Sequence, residues 1–141
     1  MASPKEVFKK LLKEHGYSVT GARIAVFDAL VGKEPTNMHD LVNSVKNVDR
    51  ASVYRSIELF EQLSIAQRIY TGWKYKIELT DTFMGHHHHL TCTNCGRTIA
   101  MSQHELEGFI DSIAKQHGFA PSAHQIEIQG LCPACQHKRE D

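Results

Sequence analysis

The chain has 141 residues, enough for one ordinary domain or two small ones. Its 41% apolar content supports packed cores, and its 23% charged content is that of an ordinary soluble protein. No run approaches the roughly 20 apolar residues that span a bilayer, and Met1-Ala2-Ser3-Pro4-Lys5-Glu6 lacks the apolar stretch of a secretory signal, so the expected location is the cytoplasm. Net charge is zero, but it is unevenly spread. Residues 1–80 carry 12 Lys+Arg and 9 Asp+Glu, a balance of +3, whereas residues 81–141 carry 4 and 7, a balance of −3. Eight of the ten histidines and all four cysteines lie in the second part. A basic half suits phosphate, and an acidic, His-rich half suits cations.

In chain order, Val7, Phe8, Leu11 and Leu12 mark one face of a helix over residues 6–14 that Gly16 ends. Thr20 caps a second helix, in which Ile24, Phe27, Leu30 and Val31 recur at helical spacing before Gly32. After the turn Glu34-Pro35-Thr36-Asn37 comes a short third helix over 38–45. Asp49 then precedes a fourth over 50–63, with Val53, Ile57 and Phe60 facing inward. Residues 66–70 and 73–79, rich in aromatic and β-branched side chains and separated by Thr71-Gly72, read as a hairpin. Short helices followed by a hairpin form the pattern of a winged helix-turn-helix: helices three and four are the reading pair, and the hairpin is the wing.

Residues 81–85 are expected to be a linker, with Gly85 as punctuation. Beyond it, residues 86–92 are extended, 97–101 form a strand, and 103–117 form an amphipathic helix. The expected buried stripe of that helix is Leu106, Phe109, Ile110 and Ile113, and Gly118 is its stop. Residues 124–130 alternate, with Ile126 and Ile128 on one face; residues 136–141 read as a frayed polar tail. The fold class is α+β: a winged helix over 1–80, a linker over 81–85, and a metal-binding half over 86–141.

The fourth helix opens Arg50-Ala51-Ser52-Val53-Tyr54-Arg55-Ser56. With Val53 and Ile57 inward, Ser52, Tyr54, Arg55 and Ser56 are left on other faces at the end that a recognition helix presents to base edges. Arg55 suits guanine or phosphate, Tyr54 a thymine methyl, and Ser52 a phosphate; Arg23 is a further phosphate candidate. Taken alone, the segment is equally an ordinary solvated helix, and the hairpin that follows favours DNA.

Cys92-x-x-Cys95 and Cys132-x-x-Cys135 are matched knuckles separated by 36 residues. In a reducing compartment such pairs are metal ligands rather than disulfides. Four thiolates make a closed tetrahedral site for structural zinc, with no open position for chemistry. The run His86-His87-His88-His89 is extended, so its side chains alternate. His86 and His88, with Glu107 and His124, form an N₃O set suited to Zn²⁺, Fe²⁺, Co²⁺ or Mn²⁺. His87 and His89 face the linker, where Glu78 completes an expected second site bridging the halves. A lone His124 would be a hydrogen-bonded core residue; four adjacent histidines favour metal.

These segments together resemble the ferric uptake regulator family of bacterial metalloregulators. The matching features are Val19-Thr20-x-x-Arg23, Ala51-Ser52-Val53-Tyr54-Arg55, the histidine run through Leu90-x-Cys92-x-x-Cys95-Gly96, His117-Gly118-Phe119, and His124 through Gly130-x-Cys132-x-x-Cys135. The resemblance implies a winged-helix domain, an α/β dimerisation domain, and a homodimer that represses transcription from an inverted-repeat operator when its metal is bound. It implies base reading by Tyr54 and Arg55, structural zinc on the four cysteines, regulatory metal on His86, His88, Glu107 and His124, and most of an interdomain site in Glu78, His87 and His89. Where family members often add a histidine before helix three, this chain has Pro35, and His39 is the nearest substitute. An acidic residue near Ala100, expected of a peroxide sensor, is missing. Gly96-Arg97-Thr98 and Ile126-Glu127-Ile128 resemble the zinc-uptake regulators more than the iron ones, although the cysteine that many zinc sensors carry before the histidines is absent. Zinc is the expected regulatory ion and iron the alternative.

No HExxH occurs, and no HxE pairs with PCxxC, so zinc-hydrolase and deaminase chemistry is not expected. A metal carrier or storage module without DNA binding is the rival from another class, and a constitutive DNA binder with purely structural zinc is a third reading.

Overall fold

Each of the first four helices begins where a polar side chain takes up a free backbone N–H. The computed structural model describes residues 1–140, Glu140 by its backbone alone. Helix α1 (Pro4–Glu14) opens on a capping box: the Ser3 hydroxyl accepts the Glu6 N–H at 3.2 Å and the Glu6 carboxylate accepts the Ser3 N–H at 2.7 Å. It therefore starts two residues before the expected position, with Pro4 where no N–H is needed. Thr20 caps α2 (Gly21–Leu30), Asn37 caps α3 (Met38–Ser44) and Asp49 caps α4 (Arg50–Gln62), each accepting the N–H three residues on.

These helices close on one core. Phe8 and Leu12 from α1 meet Val26, Phe27 and Leu30 from α2, and Leu41, Val53, Ile57 and Phe60 complete it. The Phe8 ring stacks on Phe27 at 4.3 Å and meets Phe60 edge-on at 5.2 Å. Fully burying such a side chain stabilises by about 1.5–3 kcal/mol.

The wing is an antiparallel pair, β1 (Ala66–Thr71) and β2 (Lys74–Leu79), running from Ala66 opposite Leu79 to Thr71 opposite Lys74. Its turn is Gly72-Trp73, one residue later than the expected Thr71-Gly72. Gly72 takes φ 66° while Trp73 stays out of the left-handed region, the two-residue hairpin that wants glycine first. The register is pinned from outside the hairpin. Thr36 and Ile77 exchange both backbone hydrogen bonds, at 3.0 and 2.7 Å, which fixes Ile77 in the core.

The expected linker is different in kind. Residues 81–84 wind into a helical turn, α5 (Asp81–Met84), closed by Gly85 at φ 72°. Phe83 meets Phe27 edge-on at 5.2 Å, and the Thr80 hydroxyl donates to the Ser64 carbonyl at 2.7 Å. An aromatic side chain with a core to join does not stay in a loose connector. The first compact unit accordingly runs to Gly85, and the second begins at His86.

The second unit is a three-stranded sheet of order β4-β3-β5, made of β3 (His88–Cys92), β4 (Thr98–Met101) and β5 (Glu127–Gly130). β3 is antiparallel to β4, with His88 opposite Met101, and parallel to β5, with Cys92 opposite Gly130. A parallel neighbour requires a crossover, which contains α6 (His104–Gln116). Through Glu140 the expected frayed tail is instead helical, α7 (Pro133–Glu140), with Pro133 as its first residue; Asp141, the last residue of that tail, lies outside the described residues. The stripe on α6 that was expected to be buried is not: Phe109 is 64% exposed, Ile113 is 42% exposed, and no α6 residue is buried. A single copy of this small unit has no second layer to cover that face. Among the described residues, no helix is long and apolar enough to cross a membrane.

Candidate metal centres and nucleic-acid interface

The parallel pairing of β3 and β5 solves the problem posed by the 36-residue spacing. It sets Cys92, at the end of one strand, beside Gly130, two residues before Cys132. The turn after Cys92 is closed by the Gly96 N–H on the Cys92 carbonyl at 3.0 Å, with Gly96 at φ 78°. The four sulfurs of Cys92, Cys95, Cys132 and Cys135 all lie within 4.8 Å of one another, and those of Cys95 and Cys132 are 3.8 Å apart. A tetrahedron of thiolates about 2.3 Å from zinc has edges of about 3.8 Å. The cage fits zinc.

Electrostatics within the cage are uneven. Cys92 Sγ accepts the backbone N–H groups of Cys132 at 3.3 Å and Cys95 at 3.5 Å, which pull its thiol down to about 5. Cys135 accepts the Asn94 amide at 3.3 Å, which lowers it, but the neighbouring Cys132, Cys92 and Cys95 sulfurs and burial outweigh this and push it up to about 11. Four thiolates this close repel one another, and a divalent cation is what allows all of them to ionise. Asn94 is a contributor that the sequence pattern did not single out.

At the other end of β3, His86 and His88 turn to one cluster. The His86 and His124 Nε2 atoms are 3.1 Å apart, and Glu107 Oε2 lies 3.4 Å from His86 Nε2 and pairs with His124. Glu107 Oε1 lies 2.5 Å from His88 Nε2. Glu107 comes from the first turn of α6, and His124 from the segment leading into β5. All four donor atoms fall within 4.8 Å of one another. Tetrahedral zinc with bonds of 2.0–2.1 Å has edges of roughly 3.3 Å, so three imidazoles and a carboxylate here match a four-coordinate ion. Desolvation raises the Glu107 pKa, but the His88 hydrogen bond and the charges of His124 and His86 outweigh it and hold the carboxyl below its ordinary value.

His88 has a further constraint. It is fully buried, and its Nδ1 accepts the Ile126 N–H at 3.2 Å, so its hydrogen sits on Nε2, facing Glu107. Were an ion held through Nε2, the ring hydrogen would have to sit on Nδ1, where it would face the Ile126 N–H donor.

His87 and His89 form a separate buried pair, their rings edge-to-face with centroids 4.9 Å apart. The alternation expected of the histidine run is thus present, with two residues in each set. Glu78 belongs to the first unit, on β2, where it is buried and its Oε1 accepts the Gln67 amide at 2.8 Å. His39, the substitute for the ligand absent at Pro35, is exposed on α3 and bonds Asn43 at 3.1 Å.

On α4, Tyr54 and Arg55 are exposed. The Arg50 guanidinium lies 5.4 Å from the Tyr54 ring centroid, and Arg55 donates to the Ser52 hydroxyl at 3.0 Å. Arg23, on α2, donates to the Ser18 carbonyl at 2.6 Å and lies 5.7 Å from the Tyr17 ring centroid. Ser56 departs from expectation: it is buried, because it follows Val53 by three residues and precedes Phe60 by four, on the core face. Arg55 and Tyr54 retain donor and apolar surface free to meet a groove.

Residues 14–129 match the ferric uptake regulator family. The chain is 30% identical over 142 residues to the ferric uptake regulation protein of Campylobacter jejuni, covering 95% of this chain and 89% of that one. The structure of the Helicobacter pylori ferric uptake regulator, described as revealing three functional metal binding sites, superposes with a TM-score of 0.80 at 21% identity, covering 96% of this chain and 95% of that one. A zinc uptake regulator complexed with zinc and DNA superposes with a TM-score of 0.59 at 18% identity, covering 100% of both chains. At these identities the structural likenesses are likenesses of fold.

Proposed function

This chain belongs to the ferric uptake regulator family and is a metal-dependent DNA-binding regulator rather than an enzyme, and we propose that it is a cytoplasmic repressor of metal-homeostasis genes that answers to zinc. The observation that carries this reading is the convergence of His86, His88, Glu107 and His124 into a four-donor set separate from the closed thiolate cage. Cys92, Cys95, Cys132 and Cys135 hold structural zinc, and the N₃O set holds the regulatory ion. Three imidazole nitrogens and one carboxylate at tetrahedral spacing suit Zn²⁺. His87 and His89 hold a second ion, with Glu78 as its ligand from the winged half, as the sequence leads one to expect.

The protein works as a homodimer in which a second copy covers the Phe109 and Ile113 face of α6. The two α4 helices then meet the half-sites of an inverted repeat. Tyr54 and Arg55 read base edges, while Ser52 and Arg23 contact phosphate. Ligands act by population shift: an ion favours the DNA-competent arrangement only as far as it binds that arrangement more tightly. Iron is the second reading, supported by the ferric uptake name of the Campylobacter jejuni relative.

The test is affinity for a duplex carrying the region upstream of the protein's own gene, titrated against buffered free Zn²⁺ and, anaerobically, Fe²⁺. Tight binding that appears at lower free Zn²⁺ than Fe²⁺ supports a zinc regulator. The reverse order assigns iron, and equal affinity with and without either ion overturns regulation by metal.

A further inference from the structure

We propose that Asn94 is a positioning residue of the thiolate cage: its amide latches one knuckle to the other through Cys135, so that an electrophile or a competing metal ligand enters at the Cys95–Cys132 edge. This rests on the reading of the four cysteines as a structural zinc site and adds to it the order in which that site gives way.

The four sulfurs are unequally provided for. Cys92 and Cys135 are buried, whereas Cys95 is exposed and Cys132 is half-buried. Cys92 Sγ accepts the backbone N–H groups of Cys95 and Cys132, and Cys135 Sγ accepts the Asn94 side-chain amide at 3.3 Å. Among the described residues, no N–H group donates to the sulfur of Cys95 or Cys132, and these two sulfurs face each other at 3.8 Å. The more open half of the cage is therefore also the half without donors.

Two of these bonds run between the knuckles. The Cys132 N–H reaches Cys92, and the Asn94 amide reaches Cys135, 41 positions away. The first belongs to the backbone, whatever side chain stands at 132. The second exists only because position 94 carries a short side chain ending in N–H. Its nitrogen faces the sulfur because its oxygen would set one acceptor against another.

Four thiolates around one divalent cation leave two negative charges over. N–H donors spread part of that charge and occupy the lone pairs to which they bond. Free lone pairs on a thiolate are what attack carbon or take up a rival metal. Cys95 and Cys132 keep theirs and meet solvent, so the cage opens there first. Asn94 is what places Cys135 with Cys92 in the protected pair.

The test exposes the full zinc-loaded chain to limiting N-ethylmaleimide and locates the modified cysteines by peptide mass. In that reaction a thiolate sulfur bonds to one alkene carbon, the π pair moves to the other, and water supplies the proton. Label should appear first on Cys95 or Cys132 and reach Cys92 and Cys135 only after zinc has left. Asn94→Leu keeps the branched shape without the N–H and without added charge. It should bring Cys135 into the set labelled first and speed zinc transfer to a chromogenic chelator by about tenfold, within the range that such outer contacts carry. With Co²⁺ in the cage, its thiolate-to-cobalt charge-transfer band should move to lower energy while the ligand-field bands stay tetrahedral, a signature that altered packing alone would not give. Early label on Cys92 or Cys135 in the parent chain overturns the inference whether or not the variant folds. So does an Asn94→Leu chain with the parent's labelling order, transfer rate and band position. A parent chain whose cobalt form shows no thiolate charge-transfer band overturns both this inference and the reading of the cysteines as a metal cage.

Discussion

Among the described residues, the large apolar side chains that are fully buried, from Phe8 to Leu79, all lie in the winged half, whereas the metal half buries His87, His88, His89, Thr91, Thr98, Cys92 and Cys135. The first half folds as most small domains do, by removing a contiguous apolar cluster from water. The second has too little apolar surface on its inside for that and leaves Phe109 and Ile113 outside. Its cohesion comes from backbone ladders, from metal donors gathered at the two ends of β3, and, in the proposed dimer, from a second copy. Small units that cannot build a sufficient core commonly rely on a metal staple or on association. Under the proposed function, the winged half is a reading head that keeps its shape, and the second half is a sensing half whose order depends on what it binds.

The largest effect expected from that contrast follows loss of the thiolate cage. Cys132→Ser, or a strong chelator, removes an interaction whose apparent size in structural zinc sites is about 10–16 kcal/mol. Amide exchange should show Thr91 and Gln129 losing protection while Ile57 and Phe60 keep theirs; loss of both sets together would mean that the halves do not differ as described. The converse change is Phe60→Ala, which empties the position against which Phe8 packs. It should cost the winged half about 3–5 kcal/mol by thermal or denaturant unfolding, with bound structural zinc retained. Zinc lost in parallel would break the separation from the other side. The smallest effect is local. The ¹⁵N shifts of His88 should report hydrogen on Nε2 in the metal-free protein and on Nδ1 in the loaded protein, and an unchanged tautomer would remove His88 from the ligand set.

How much of this was legible in the sequence varied with the range of the cause. Thr20 and Asp49 mark their helix starts because capping is settled within four residues. The capping box at Ser3 and Glu6 was equally local, and the apolar spacing that begins at Val7 obscured it. The two CxxC knuckles and the alternation of the histidines were visible because spacing alone carries them. The turn of the wing lies one residue later than expected because a two-residue hairpin of this kind wants glycine at its first position, which Gly72 at φ 66° supplies and the β-branched Thr71 would not. For α5, the contact of Phe83 with Phe27 makes a helical turn of what composition suggested was a linker. The exposed face of α6 departs from expectation for a related reason: periodicity marks a stripe fit for covering, but not whether the chain's own core or, as in the proposed dimer, a second copy covers it. Asn94 and Gln67, which bond Cys135 and Glu78, have no signature at all without the fold that brings them there.

Under the proposed function, the histidine-held ion, not the cysteine-held one, turns on DNA binding. This is tested most directly by following operator affinity together with zinc stoichiometry in one titration of the metal-free chain. The first equivalent per chain should fill the thiolate cage and leave affinity low, and affinity should rise by at least about tenfold, a coupling of the usual size for an effector, as further zinc enters the histidine sites. Full operator affinity at one equivalent per chain would contradict it.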